Sequence, residues 1–385
     1  VSAILAINSG SSTLKFGLFV EDGGDERAVL RGSAEGIGKD GGKLEILDRA
    51  GKPLHHEKRK YSSQKEALEH VADAMKTLHS ERPAAVGHRI VHGGPELRQH
   101  VRITPGVLST LQGAIHFAPL HIPNSIDLVR SAESIYPGLP QFACFDTAFH
   151  QTMPEEAYRY PLPKQFAEEG VRRYGFHGLS YGSIVHRLGP ALSKRTVIAH
   201  LGNGSSLAAV LDGKSIDTSM GLTPTGGVPM GTRTGDLDPG VLLYLMRAHQ
   251  LDDQALEGLL NHKSGLLALG GASDMRTLQE AADAGGRDAG LAIEIFCRAI
   301  ARTVAAFAVS LGGLDGLVFA GGIGEHSAAV RTNVCSRLGL LGVALDQAAN
   351  GSSAEVISSS KVEVRIVPSQ EEAQIAREVR GLMAG

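Results

Sequence analysis

"LAINSGSSTLKFGLF", residues 5–19, sets a polar turn of small and hydroxyl residues between two apolar runs. That pattern is a β-hairpin whose tip exposes backbone N–H groups. A second stretch, "IAHLGNGSSLAAVL" (198–211), has the same design. Aligning Gly10-Ser11-Ser12 with Gly204-Ser205-Ser206 places an apolar strand before and after each, about half a chain apart. The repeat predicts one architectural unit used twice, and each tip has the amides and small side chains to wrap phosphate oxygens.

At 385 residues the chain exceeds what one hydrophobic core usually serves, which predicts two domains. An apolar share of 42% and a charged share of 21% exclude a disordered or collagenous chain. A formal charge of -3 supplies no cationic excess for a phosphate backbone, so no nucleic-acid partner is expected. The three cysteines, Cys144, Cys297 and Cys335, fit neither a disulfide framework nor a zinc motif, and predict a reducing, cytoplasmic setting. No cationic and apolar leader is visible. The densest apolar helix, near 291–311, is interrupted by Glu294, Arg298 and Arg302, so it reads as a buried helix and no membrane partner is expected.

Helices alternate with strands along the chain. Ser63 and Glu66 form a capping-box pattern ahead of a stripe of Ala67, Val71, Met75 and Leu78. Asp238-Pro239 opens another helix with a cap and a proline in its first turn. A last helix follows Ser369 and Glu372, again at capping-box spacing, with Ile375, Val379 and Leu382 as its apolar stripe and Glu371 in its first turn. Strands are predicted at 85–91, 141–145, 195–201, 316–321 and 362–367, with short edge strands over 21–60. This alternation gives an α/β protein with mixed sheets covered by helices.

The chain lacks both GxxxxGK[ST] and a post-strand GxGxxG, which excludes the P-loop and Rossmann devices. "LVFAGGIGEHS" (317–327) instead predicts that backbone at Gly321, Gly322 and Gly324 passes close to a flat or polyanionic ligand before a helix near Ser327. Arg89 in "GHRIVHGG" and Asp146 in "CFDTAFH" fall at strand ends, where ligands of α/β proteins bind. His177 in "GFHGLS" and Arg233 in "GTRTGDLDPG" fall in glycine-flanked loops. His88 and His92 have no third ligand partner in the pattern and read as packed or exposed.

The phrases "NSGSSTLKF", "GHRIVHGG", "APLH", "CFDTAFH", "YGFHGLSY", "HLGNGSS", "MGTRTGDLDPG", "SDMR" and "AGGIGEHS", with a late "EE", occur in this order. Together they resemble the acetokinase family over nearly the whole chain. The resemblance implies two duplicated ribonuclease-H-like (actin-like ATPase) domains of βββαβαβα topology, with nucleotide in the interdomain cleft. The N-terminal domain would be 1–147 plus 371–385, and the nucleotide-binding domain 148–370. It further implies a homodimer transferring phosphate between ATP/ADP and acetate/acetyl phosphate, with Mg²⁺, or Mn²⁺ in its place, as cofactor.

By the same resemblance, Asn8 and Glu371 would hold the metal, directly or through water. Lys15 and the run His200, Leu201, Gly202, Asn203, Gly204 would line the phosphates. Asp274, Met275 and Arg276, with Gly322, Ile323, Gly324, Glu325 and His326, would hold the nucleoside. Arg89, Asp146, His177 and Arg233 would be catalytic; Arg89, Val91, Leu120, Phe176 and Pro224 would line the acyl site, with His121 beside it. Ile122, Gln370 and "PTGGVPMGTR" (224–233) depart from the family pattern and put pocket size in question.

The implied chemistry suits these residues. A short carboxylic acid, with a pKa near ~4, is already an anion at neutral pH and needs no general base. The obstacle is bringing it to a polyanion, which arginine forks and a preorganised hydrogen-bond donor meet. Alternatives of the same chemistry are a propionate- or butyrate-preferring kinase; one of another class is a nucleotide-switched interaction protein.

Overall fold

The computed structural model describes residues 2–10, 12–78 and 82–384. The chain forms two compact units: Val1–Ala148 with Gly178–Ser183 and Gln370–Gly385, and Phe149–His177 with Ile184–Ser369. Ala148, Gly178–Ser183 and Gln370 fall with the first unit. Gly178–Ser183 packs with the first unit because Gly178 N donates to Asp146 O at 2.9 Å and Leu179 joins that unit's apolar cluster.

The first unit carries eight strands: β1 (Ile4–Ser9), β2 (Thr13–Asp22), β3 (Asp25–Glu35), β4 (Lys43–Asp48), β5 (Pro53–Lys58), β6 (Ala85–Ile90), β7 (Val101–Arg102) and β8 (Gln141–Phe145). Their order is β5-β4-β3-β2-β1-β6-β8-β7. The second unit carries β9 (Arg195–Leu201), β10 (Ser205–Leu211), β11 (Lys214–Thr218), β12 (Gly316–Ala320) and β13 (Glu363–Ile366), ordered β11-β10-β9-β12-β13. The series β3-β2-β1-β6-β8 of the first unit therefore matches β11-β10-β9-β12-β13 of the second strand for strand. The first three are antiparallel and the last two parallel to the first, in both. The duplicated fold expected from the sequence is present at the level of topology.

Register corrects the alignment of the repeat. The last paired residues of the first hairpin are Ser9 and Leu14, so its turn is 10–13; those of the second are Leu201 and Ser205, so its turn is 202–204. Gly10 opens one turn and Gly204 closes the other, while Ser205 and Ser206 already lie in a strand. Ser11 lies outside the described residues. The pairs that occupy the same ladder position are Asn8–Lys15 and His200–Ser206.

Strand periodicity decides which face each residue serves. Leu5 and Ile7 of β1 enter a cluster with Ala67, Val71 and Met75 of the helix Gln64–Leu78, whereas Ile4 and Ala6 meet Ile375, Ala376 and Val379 of the C-terminal helix Glu371–Ala384. Burial on both faces explains why β1 reads as a continuous apolar run. The C-terminal helix approaches closely because residue 87 has no side chain: a Cβ there would lie 2.5 Å from Ile375 Cγ2 and 2.7 Å from Val379 Cγ2. In the second unit, Val197, Ala199 and Leu201 of β9 face the long helix Arg287–Ser310, which buries Ile293, Phe296, Ile300 and Val304 and leaves Glu294, Arg298 and Arg302 outside.

Caps follow the sequence in part. Asp238 accepts from Gly240 N at 2.7 Å, and Ser63 Oγ accepts from Glu66 N at 3.2 Å, but the Glu66 carboxylate reaches Ser62 N rather than Ser63 N. The capping box expected at Ser369 and Glu372 does not form. Ser369 Oγ has no hydrogen-bond partner, and Glu372 is drawn instead to Asn8.

Candidate active site

Asn8 is the last-but-one residue of β1, on the face that meets the C-terminal helix. Its Nδ2 donates to Glu371 Oε2 at 2.9 Å and to Glu372 Oε1 at 2.7 Å, both in the first turn of that helix. On its other side, Asn8 Oδ1 accepts from Arg89 Nη1 at 3.2 Å. Arg89, near the end of β6, is gripped from one edge by Asp146: Nε donates to both carboxylate oxygens at 3.1 and 3.0 Å, and Nη2 donates to Oδ2 at 2.6 Å. Asp146 follows β8 and is 1% exposed. Burial works against the Arg89 charge, but Asp146, then Glu371 and Glu372, more than offset it and raise the guanidinium pKa. The result is a continuous chain, Asp146–Arg89–Asn8–Glu371/Glu372, within one unit.

This geometry modifies the expected role of Arg89. Its Nε–Nη2 edge is already filled by Asp146, so an incoming carboxylate would have to use the Nη1–Nη2 edge. Asp146, expected among the catalytic residues, holds Arg89. Glu372 was read in the sequence as a cap; the adjacent acids were visible, but their partner lies more than 360 residues away. Lys15 is exposed and stands opposite Asn8 in the ladder, on the same sheet face.

The two carboxylates suit a hard divalent cation, while the Asn8 carboxamide presents its N–H groups to them and its oxygen to Arg89. Among the described residues no group of three or more His, Cys, Asp or Glu side chains could enclose a metal. A cation at Asn8 and Glu371 would thus be completed by water and phosphate oxygens, as Mg²⁺ commonly is.

In the second unit, His177 precedes the helix Gly178–Leu188 with left-handed backbone, φ 58° and ψ 23°. Its Nδ1 lies 2.8 Å from Ser206 Oγ, and its ring stacks on that of His200, centroids 4.4 Å apart and planes at 24°. A Cβ built on Gly204 would lie 3.4 Å from His177 Nε2 and 3.5 Å from Arg233 Nη1. An imidazole and a guanidinium therefore converge on the backbone of the second turn. Arg233 Nη1 also donates to Pro224 O at 3.0 Å. Its loop is pinned by Gly231 N to Asn203 O at 3.1 Å and by Leu266 N to Met230 O at 2.9 Å.

The residues expected at the nucleoside divide sharply. Asp274 caps the helix Met275–Asp283, accepting from Thr277 N at 3.0 Å, which with other hydrogen bonds lowers its carboxyl pKa. Met275 and Leu201 are buried in the second unit's core, so only their backbone could meet a ligand. Arg276, Gly322 and His326 are exposed, while Ile323 is partly buried against the core. Glu325 Oε1 accepts from Gly321 N at 2.9 Å. The segment expected as an open glycine loop is instead a helical turn, Gly321–His326. Gly321, at φ +74°, places its missing Cβ 2.7 Å from Leu201 O, so it serves close packing. Arg331, which no sequence signal marked, is fully buried and donates to Gly324 O and Glu325 O at 2.9 Å each, fixing that turn from behind.

Of the acyl-site residues, Val91 and Leu120 belong to the first unit, Leu120 being 44% exposed; Phe176, 1% exposed, and Pro224 belong to the second. His121 caps the helix Ile122–Ile135 through its backbone. His88 is buried with Nε2 2.7 Å from Gln141 Oε1, and the His92 Nδ1 accepts from Gly94 N, so both are packed histidines.

Two sheets of one topology, each with a hairpin rich in glycine and hydroxyl residues, place the chain in the actin-like ATPase fold class. The Acetokinase family profile matches residues 3–377. An acetate kinase of Dichelobacter nodosus is 43% identical over 390 residues, covering 98% of both chains. Among solved structures, a propionate kinase from Francisella tularensis superposes with a TM-score of 0.92 at 37% identity, covering 98% of this chain and 99% of that one. An acetate kinase from Porphyromonas gingivalis superposes at 0.88 and 38%, with both chains fully covered. The chain belongs to the acetokinase family, and is a kinase.

Proposed function

We propose that the protein is a Mg²⁺-dependent acetate kinase, transferring the γ-phosphoryl group of ATP reversibly to acetate to give acetyl phosphate and ADP. An acetate oxygen attacks the γ-phosphorus, the bond to the β,γ-bridging oxygen breaks, and its electrons leave with ADP. The observation that carries this reading is the convergence of His177 Nε2 and Arg233 Nη1 on Gly204. Two donors converging beside the Gly204 backbone suit the charge spread over equatorial phosphoryl oxygens. Arg89 meets the carboxylate with its remaining edge, and Asp146 is a positioning residue that fixes Arg89. Mg²⁺, when bound near Asn8 and Glu371, supplies charge neutralisation at the phosphates.

The test is acetate-dependent ADP release, with acetyl phosphate trapped by hydroxylamine as the hydroxamate. Acetate, propionate and butyrate are compared at equal concentration. Acetate is expected to give the highest kcat/KM, with propionate behind by the ~1–3 kcal/mol that one methylene commands. ATP hydrolysis indifferent to all three acids would support a nucleotide switch instead.

Homodimerisation is part of the same reading. The helix Pro239–His249 buries no residue within this chain, and Val241, Leu243, Tyr244 and Met246 on it are 40%, 50%, 61% and 41% exposed. Basic Arg247 and His249 end it, and acidic Asp252 and Asp253 begin the next helix. An exposed apolar helix suits contact with a second copy of the chain under a twofold rotation. Tyr244→Glu is expected to convert a dimer into monomer in light scattering. No helix among the described residues is long and apolar enough to cross a membrane; a cytoplasmic enzyme is the consistent proposal.

A further inference from the structure

We infer that Ser206 and His200 are positioning residues that hold His177 as the neutral tautomer protonated on Nε2, with that N–H aimed at the group transferred. The inference rests on the kinase reading for its purpose, but on local geometry for its substance.

His200 and Ser206 are register partners on β9 and β10, so their side chains leave the sheet on one face. Both meet the same imidazole: His200 covers its plane at 4.4 Å, and Ser206 Oγ takes its Nδ1 edge at 2.8 Å. Ser206 is completely buried. The left-handed backbone of His177 is a conformation that costs a β-substituted residue energy and persists only where the surroundings fix it. With one edge and one face held, the ring presents Nε2 to the Gly204 backbone beside Arg233 Nη1.

The tautomer follows from the chemistry of each neighbour. A ring protonated on Nδ1 alone would offer an Nε2 lone pair to phosphoryl oxygens, which repel it. A doubly protonated ring would add a cation next to the Arg233 guanidinium and against a second imidazole. Neither cost arises if the Ser206 hydroxyl donates to Nδ1, because the single ring proton then sits on Nε2. A serine achieves this without the negative charge that a carboxylate partner would bring.

The experiment is ¹⁵N NMR of histidine-labelled full-length protein, combined with a double-mutant cycle of Ser206→Ala and His177→Ala. The wild type is expected to show the Nε2–H pattern for His177, and Ser206→Ala to lose it. Ser206→Ala should lower kcat roughly 10–100-fold, as removing the outer partner of a metal-ligating histidine does, while KM for ATP changes less than about twofold. In the His177→Ala background the same substitution should cost no further activity. An Nδ1–H pattern in the wild type, or additive losses in the cycle, would overturn the inference. The tautomer is read without turnover, so absence of acetate-dependent ADP release would sink the kinase reading and leave this one standing.

Discussion

At the same ladder position the two halves of the molecule carry different chemistry: Asn8 opposite Lys15 in the first unit, His200 opposite Ser206 in the second. Around the first pair the fold gathers acids and a half-buried guanidinium; around the second it gathers imidazoles, hydroxyls and a glycine turn. One sheet topology thus carries two unlike polar clusters, one of carboxylates, a carboxamide and a guanidinium, the other of imidazoles and a hydroxyl. The strand ends explain the divergence. Parallel pairing runs Ile7 with His88, so the next step of β6 brings Arg89 beside Asn8, whereas β12 brings Ala320 beside His200. The second unit's cation arrives instead from the loop at Arg233.

The sharpest way to break this comparison is to remove the second unit's cation. Arg233→Ala is expected to lower kcat by about 10²–10³, the cost of one preorganised donor, with an unchanged thermal midpoint. Equal losses of rate and stability would place Arg233 in the fabric of the unit. Asp146→Asn should act in the opposite sense. It leaves the Arg89 charge short of its buried partner, and a loss of about 3 kcal/mol in denaturant unfolding is expected, together with a raised KM for acetate.

Acid titration treats the two units alike. Burial pushes the His88 imidazole down to about 4, opposed by Gln141, and pushes His150 in the second unit down to about 4, opposed by the Phe176 carbonyl. Both values lie below the ~6.5 of an unfolded histidine, so the unfolded chain binds protons first as pH falls. Stability is therefore intact above about 6.5 and declines between there and about 4, by about 3 kcal/mol for each histidine. His88→Gln should flatten that decline in urea titrations at pH 5 against pH 7. The smallest effect concerns packing: Gly87→Ala must displace Ile375 and Val379, and is expected to cost about 1–3 kcal/mol without altering KM for ATP.

Local signals in the chain located most elements. The strands expected at 141–145 and 195–201 are present with those bounds, and Asp238 caps its helix as the dipeptide with Pro239 implied. These features depend on neighbours a few residues away, which a sequence displays. The ordered phrases also identified the family. What the phrases did not display was which contacts their residues spend. Met275 and Leu201 sit in motifs expected to line the nucleotide yet are core residues, because the 3.6 and 2.0 periods of their elements turn them inward.

The sequence by itself determined the duplicated α/β architecture, the glycine-bearing hairpins and the residue types gathered in each unit. Tertiary structure alone decided that Asp146 occupies one edge of Arg89, that Glu372 bonds Asn8 instead of capping its own helix, and that Ser206 and His200 bracket His177. The reason is that hydrogen-bond donors are few and directional. Which acceptor takes each one depends on groups brought together from distant strands, and no local pattern encodes that competition.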